Sequence, residues 1–248
     1  MRTLHRLLTQ VPVAGNVLWH VLAFCALITP IVAVHEFGHL LAASLFGVPV
    51  TTFSIGFGPE LFGFTAGGIH WQISAVPLGG YVMMDVAALN NASLLAKTVI
   101  LVAGPAANLL YLFGVIALYR KLCTPEAYAF PNYTGGFLIW PFIINAGRGA
   151  ALGWRHLGWY TAVVSFDLAV FNMLPIFPLD GGRLFMYLLE AAGMPAESST
   201  IAVFVGVFLS LWLLGLIGRS GLVPRLHRWM NMPPQRRAPL DDEDTPTR

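Results

Sequence analysis

The sequence predicts an α-helical membrane protein of about four transmembrane helices, with a membrane-embedded β-hairpin element after the first helix. Three observations carry this expectation. Of the 248 residues, 56% are hydrophobic and only 10% are charged, where soluble domains carry about a quarter charged residues; the mean hydropathy is +0.69. Four segments are long and apolar enough to cross a bilayer, which takes about 20 residues at 1.5 Å rise each. Between the first two lies a stretch that alternates with a period of two.

The first apolar segment runs from Val17 to Phe46. Arg2 and Arg6 precede it, as they would a secretory signal, but the apolar run outlasts a signal's ~7–15 residues and no small-x-small cleavage site closes it. An uncleaved membrane helix is the expectation. Gly67-Gly68 then form a turn, after which Ile69, Trp71, Ile73 and Ala75 alternate with His70, Gln72 and Ser74. That pattern is a half-exposed strand leaving a hairpin. The glycine-rich "FSIGFGP" and "PLGGYV" on either side read as loops or further strands. Open strands cannot face lipid with unpaired backbone groups, so they must lie in protein or line a wet cavity.

Leu94–Tyr119 forms the second span, Trp154–Leu174 the third and Ile201–Ile217 the fourth. The connection from Arg120 to Gly153 holds Phe137–Ile144, too short to span and broken by Pro141, hence interfacial or re-entrant. It has no room for an extra domain of ordinary size, typically 50 residues or more. A single domain over 1–232 is expected, followed by a disordered charged tail over 233–248. A net charge of +2, with no continuous basic patch, argues against nucleic acid as a partner. Cys25 and Cys123 make neither a zinc-like nor a disulfide-like pattern.

Chemistry is concentrated in "AVHEFGHLLAASLFG", Ala33–Gly47. His35 and His39 are four apart, which on a helix places both imidazoles on one face, converging on one metal ion. Glu36 adjoins them and can reach a metal-bound water as general base. Counted along a helix, His35 lies about 27 Å from Val17 and about 17 Å from Phe46, so the motif sits at membrane depth. Each ionisable group there costs at least ~2.5–3.5 kcal/mol on insertion scales, and coordination to Zn2+ gives three of them a reason to be present.

A catalytic zinc takes three protein ligands and keeps a fourth position for water. Asp180, in "FNMLPIFPLDGGR", is the favoured third ligand. Pro175 and Pro178 break the helix before it and Gly181-Gly182 free the backbone after it, so its carboxylate can be aimed at a point. Asp167, inside the third apolar segment with no helix breaker around it, is the rival. Asn108 beside Gly104 reads as interhelical hydrogen-bond glue, Asn172 as substrate or zinc-site support or as glue, and His70 as a polar side chain lining a cavity.

"HEFGH", "GFGP", "ISAVPLGGYV", "GPAAN" (Gly104–Asn108) and "NMLPIFPLDGG" (Asn172–Gly182), in this order, resemble the site-2 protease family of intramembrane zinc metalloproteases, over roughly Ala33 to Arg183. The resemblance implies His35, His39 and Asp180 as zinc ligands and Glu36 as catalytic base. It implies a substrate-holding role for Asn172, and for the hairpin around Gly67 and Gly68 an edge offered to an extended peptide. It further implies hydrolysis of peptide bonds in or near membrane helices, with single-span membrane proteins in the lipid bilayer as substrates. Many bacterial relatives carry PDZ domains between the second and third helices, and others a nucleotide-sensing domain; neither fits here, which suggests a minimal core. Two other classes stay open on the residues alone: an ion or proton transport protein using intramembrane His, Glu and Asp, and an inactive zinc-binding homologue.

Arginine and lysine cluster at the first terminus, in the middle connection and in the tail. Charge distribution therefore places both termini in the cytoplasm of a multi-pass protein of the cell (inner) membrane, whereas the resemblance implies the opposite side for the middle connection.

Overall fold

The computed structural model describes residues 13–122, 154–194 and 199–219. The N-terminal arginines, the Phe137–Ile144 segment and the charged tail lie outside the described residues. Eight elements follow in chain order: α1 (Val13–Leu45), β1 (Val50–Ala66), β2 (Ile69–Met84), α2 (Val86–Asn91), α3 (Leu94–Leu122), α4 (Trp154–Asn172), α5 (Asp180–Ala191) and α6 (Ser199–Arg219).

Two described helices are long and apolar enough to cross a membrane, over Leu22–Leu45 of α1 and Leu94–Leu118 of α3. The helices expected as third and fourth spans are present as α4 and α6, with apolar stretches over Tyr160–Asn172 and Phe204–Leu213 among the described residues. Apolar side chains point outward in numbers that water would not accept: Leu45, Leu110, Phe113, Phe208, Leu211 and Trp212 are all exposed. Patches of this size belong against lipid or another apolar surface. Pro30 and Pro105 lie inside α1 and α3, a placement that membrane helices tolerate when neighbours satisfy the freed backbone.

The core forms where α1 meets its neighbours. Phe24, Leu27, Ile28 and Ile31 pack with Tyr160 and Val164 of α4; Ala42, Ala43 and Val48 pack with Ile100 of α3. Small residues set the α1–α3 spacing. A Cβ at Gly38 would lie 2.5 Å from the Ala103 carbonyl oxygen and 2.8 Å from the Ala107 Cβ, so the helices touch backbone to backbone, as small residues permit in membranes.

The hairpin is larger than the alternation of Ile69–Ala75 suggested. The flanking glycine-rich segments are strands as well, antiparallel from Ala66 opposite Ile69 to Val50 opposite Met84. Gly67 and Gly68 make the turn at φ of 62° and 78°, the doubly positive pair that two-residue hairpins favour. The ribbon also doubles back: Thr52, Phe53, Ser54 and Ile55 each face one partner in 80–83 and another in 70–73. The first half of β1 is thus interior to the sheet, and the end of β2 is an edge. Beneath it the Gln72 amide nitrogen, with two N–H groups to donate, lies 3.0–3.2 Å from the Ser54, Ser74 and Tyr81 hydroxyl oxygens, which fixes the register from inside.

Between α4 and α5 the chain turns sharply through Pro175 and Pro178. A Cβ at Gly181 would meet the Met173 and Leu174 carbonyls, and one at Gly182 the Ile176 and Phe177 backbone. A Cβ at Gly206 of α6 would strike the Pro175 carbonyl oxygen. The turn is clamped on both sides. Further along α5, Tyr187 lies under the Lys97 ammonium, 4.5 Å from ring centroid to Nζ, which ties α5 to α3.

Candidate metal centre

His35 and His39 stand one turn apart on α1, both buried, with ring centroids 4.8 Å apart and planes at 80°. Their Nε2 atoms lie 3.1 Å from each other. Asp180 closes the triangle from α5: its Oδ2 is 3.1 Å from His35 Nε2 and 3.2 Å from His39 Nε2. Among the described residues this is the one group of three or more His, Cys, Asp or Glu side chains that could hold a metal ion. Asp180 is the first residue of a helix, so the two glycines that were expected to free the backbone after it lie within that helix's first turn. Gly181 and Gly182 are there because α5 begins pressed against the backbone of the preceding turn. A carboxylate in the first turn is also favoured by the helix dipole.

The donor set fits zinc. Zn–N and Zn–O bonds of 2.0–2.2 Å in a tetrahedron separate adjacent ligand atoms by about 3.3–3.5 Å, close to the 3.1–3.2 Å sides of this triangle. Two imidazoles and one carboxylate leave the fourth position for water, the pattern of a catalytic site.

Helix α3 builds the wall behind the rings. Ile100, Gly104 and Asn108 are four apart and so share one stripe. The His39 Nδ1–H donates to the Ile100 carbonyl oxygen at 2.7 Å, and His35 Nδ1 lies 3.0 Å from Asn108 Nδ2. Between them, a Cβ at Gly104 would lie 2.8 Å from His35 Nε2 and still nearer His39 Nε2. Only glycine leaves room for both ring nitrogens there. This stripe is the part of the site that sequence reasoning missed. Its signal was present in "GPAAN", a glycine and an asparagine one turn apart in an apolar helix, although the partner was not legible.

Glu36 is half-buried beside the triangle, with β2 laid against it. A Cβ at Gly80 would approach the Glu36 Cγ to 3.1 Å and the Val32 Cγ1 to 2.8 Å, and the Val82 backbone N–H reaches the carboxylate. Asp167 lies outside the metal-capable group and is engaged with a neighbour. The Asn172 amide donates to Leu168 O of its own helix at 3.1 Å. Gly67 and Gly68 sit at the hairpin turn, with nothing within 4 Å of a Cβ built at either; the part of the hairpin that meets Glu36 is Gly80–Val82.

The sequence model of peptidase family M50 matches residues 23–213. The chain belongs to this family, the site-2 proteases. Among relatives, the chloroplastic membrane metalloprotease ARASP of Arabidopsis thaliana is 37% identical over 125 residues, covering 45% of this chain and 28% of its own. Protease RseP of Yersinia pestis is 39% identical over 117 residues, 42% of this chain and 26% of its own. A Synechocystis protein whose name marks it as a candidate zinc metalloprotease is 36% identical over 144 residues, 53% and 38%. The matches thus span about a quarter to two-fifths of these relatives' lengths. The M50 match takes in all four residues singled out from the sequence, His35, Glu36, His39 and Asp180.

Proposed function

We propose that the chain is a zinc-dependent endopeptidase that hydrolyses peptide bonds within or near transmembrane segments, in the manner of regulated intramembrane proteolysis. The single observation that carries this reading is the triangle of His35, His39 and Asp180 with Glu36 beside it, on a helix long and apolar enough to cross a membrane.

When bound, zinc supplies a Lewis acid that lowers the pKa of a water to near 7 and polarises a carbonyl. The rest falls to the chain. His35 and His39 present Nε2 from one helical face, and Asp180 adds a negative charge fixed by its clamped turn. Glu36 accepts the proton as the water attacks the scissile carbonyl, then delivers it to the departing amine nitrogen, so that the C–N bond breaks with a neutral leaving group. A helical substrate must unwind first, since its carbonyls are already hydrogen-bonded, and its freed backbone groups find no partner in lipid. The β2 edge at Gly80–Met84 supplies such partners by strand addition, beside the general base. Asn172, at the end of α4, and the hairpin turn at Gly67-Gly68 support substrate in this reading.

It includes four spans, with α4 and α6 completing the bundle in a multi-pass protein of the inner membrane, and single-span membrane proteins as substrates. The test is Glu36→Gln in the full chain. Cleavage of a reporter carrying a membrane helix is lost while one zinc per chain is retained. Undiminished cleavage removes Glu36 as the base; a wild-type chain that binds zinc yet cleaves no membrane reporter leaves a zinc-binding protein without this activity.

A further inference from the structure

The two imidazoles are held from behind by different means. His39 donates through Nδ1–H to a backbone carbonyl, Ile100 O, at 2.7 Å. A carbonyl has no proton to give, so Nδ1 carries the hydrogen and Nε2 of the neutral ring is bare toward Asp180. His35 has no carbonyl behind it. It has Asn108, fully buried, whose Nδ2 lies 3.0 Å from His35 Nδ1. In that orientation the amide donates, His35 Nδ1 accepts, and the ring proton sits on Nε2, aimed at the Asp180 Oδ2 3.1 Å away. Among the described residues, the same orientation leaves Asn108 Oδ1 buried with no partner. An orphaned acceptor in an apolar interior costs about 1–3 kcal/mol.

Half a turn of the amide about its last torsion exchanges Oδ1 and Nδ2, which are nearly the same in shape. Oδ1 then faces His35 Nδ1 and accepts from Nδ1–H, and Nε2 is left bare like that of His39. We propose that Asn108 is a positioning residue that sets the tautomer of His35. With the amide oxygen toward the ring, both Nε2 lone pairs point at one place and the site is ready for the ion; with the nitrogen toward the ring, a proton stands where the ion would bind. The inference rests on the zinc reading above and extends it to α3, a helix that contributes no ligand. Outer hydrogen-bond partners of zinc histidines carry about 10–100-fold in metal affinity, and here one of the two is a side chain and can be changed.

The experiment compares zinc affinity, by competition with a chromogenic chelator, for the full-length wild type, Asn108→Leu and Asn108→Asp in detergent. Leucine keeps the volume but offers no acceptor; aspartate offers an acceptor only. We expect Asn108→Leu to bind about 10–100-fold more weakly and Asn108→Asp to stay within about threefold of the wild type. Equal affinity of Asn108→Leu and wild type overturns the proposal, as does an equal loss in both variants, which marks Asn108 as packing alone. Zinc binding absent from the wild type itself overturns the zinc reading, a result distinct from either. An arm without variants uses ¹⁵N-histidine spectra of the zinc-loaded wild type: His35 should carry its proton on Nδ1 and bind through Nε2. The reverse assignment overturns the proposal even where neither variant folds.

Discussion

Gly104→Ala adds one methyl group to α3 at the place where the structure has least room for it. The new Cβ would stand 2.8 Å from His35 Nε2 and closer to His39 Nε2, where contacts below 3.4 Å are already tight. His39 cannot withdraw freely, because its Nδ1–H is held by Ile100 O, four residues away on the same helix as the added methyl. Overpacking of this kind costs ~1–3 kcal/mol, and a hydrogen bond lost by ring rotation costs ~1 kcal/mol. The sum, ~2–4 kcal/mol, corresponds to a roughly 30- to 700-fold loss of zinc affinity. Gly114→Ala is the control: it lies on the same helix, and a Cβ there meets nothing within 4 Å. Chelator competition on the purified chains measures both, with cleavage of a helical reporter at saturating zinc as a second readout. Gly104→Ala binding zinc as tightly as Gly114→Ala would refute the argument that this glycine makes room for the two ring nitrogens.

Three further outcomes are expected. Asp180→Asn should weaken zinc binding by more than the ~10–100-fold carried by outer partners, while Asp167→Asn leaves zinc content unchanged; zinc retained in the first and lost in the second would exchange their roles. Gly80→Val should reduce cleavage with zinc affinity little altered, because its Cβ would stand 2.6 Å from the Ser54 carbonyl oxygen as well as against Val32 and Glu36, lifting β2 off Glu36, the proposed general base. Unchanged turnover would show that the edge strand need not lie there. Gly67→Val with Gly68→Val, at φ of 62° and 78°, strains the turn by ~1–2 kcal/mol per residue and should slow cleavage of helical substrates more than of short unstructured peptides. Equal slowing would count against strand addition.

The three side chains that the structure brings together were legible in the sequence because their geometry is local or locally framed. His35 and His39 converge by helical spacing alone, and Asp180 is set off by prolines and glycines. The conformation of Asp180 was not legible: paired glycines read as freedom, whereas Gly181 and Gly182 mark where a helix starts against the backbone of Met173–Phe177. The hairpin was half legible. Alternation stands out only in Ile69–Ala75; elsewhere Leu61, Phe62, Phe64 and Leu78 are exposed, apolar on the outward side too, and an apolar outer face erases the period of two. Of the four spans expected, two stand out among the described residues as long and apolar enough, in α1 and α3, and helices α4 and α6 occupy the places of the other two. For Asn108 the chemistry was read correctly, as a hydrogen bond between helices, but no pattern within α3 names an imidazole on α1 as its partner.

That last case shows how fold and site depend on each other here. Asn108, Gly104 and Ile100 meet His35 and His39 only because α1 and α3 run backbone to backbone at Gly38, Ala103 and Ala107. The contacts across this seam are short and rigid: 2.7 Å from His39 to Ile100 O and 3.0 Å from His35 to Asn108. Moving the helices apart by ~1 Å would take both beyond hydrogen-bonding range, leave buried ring nitrogens unpaired and let the imidazoles turn away from Asp180. A side chain at Gly38, three residues after His35 and one before His39 and no ligand to anything, would therefore act on the metal centre by way of helix spacing. In a protein whose helices have little hydrophobic drive to associate within lipid, close packing of small residues holds the seam together and, by the same contacts, holds the ring nitrogens in register.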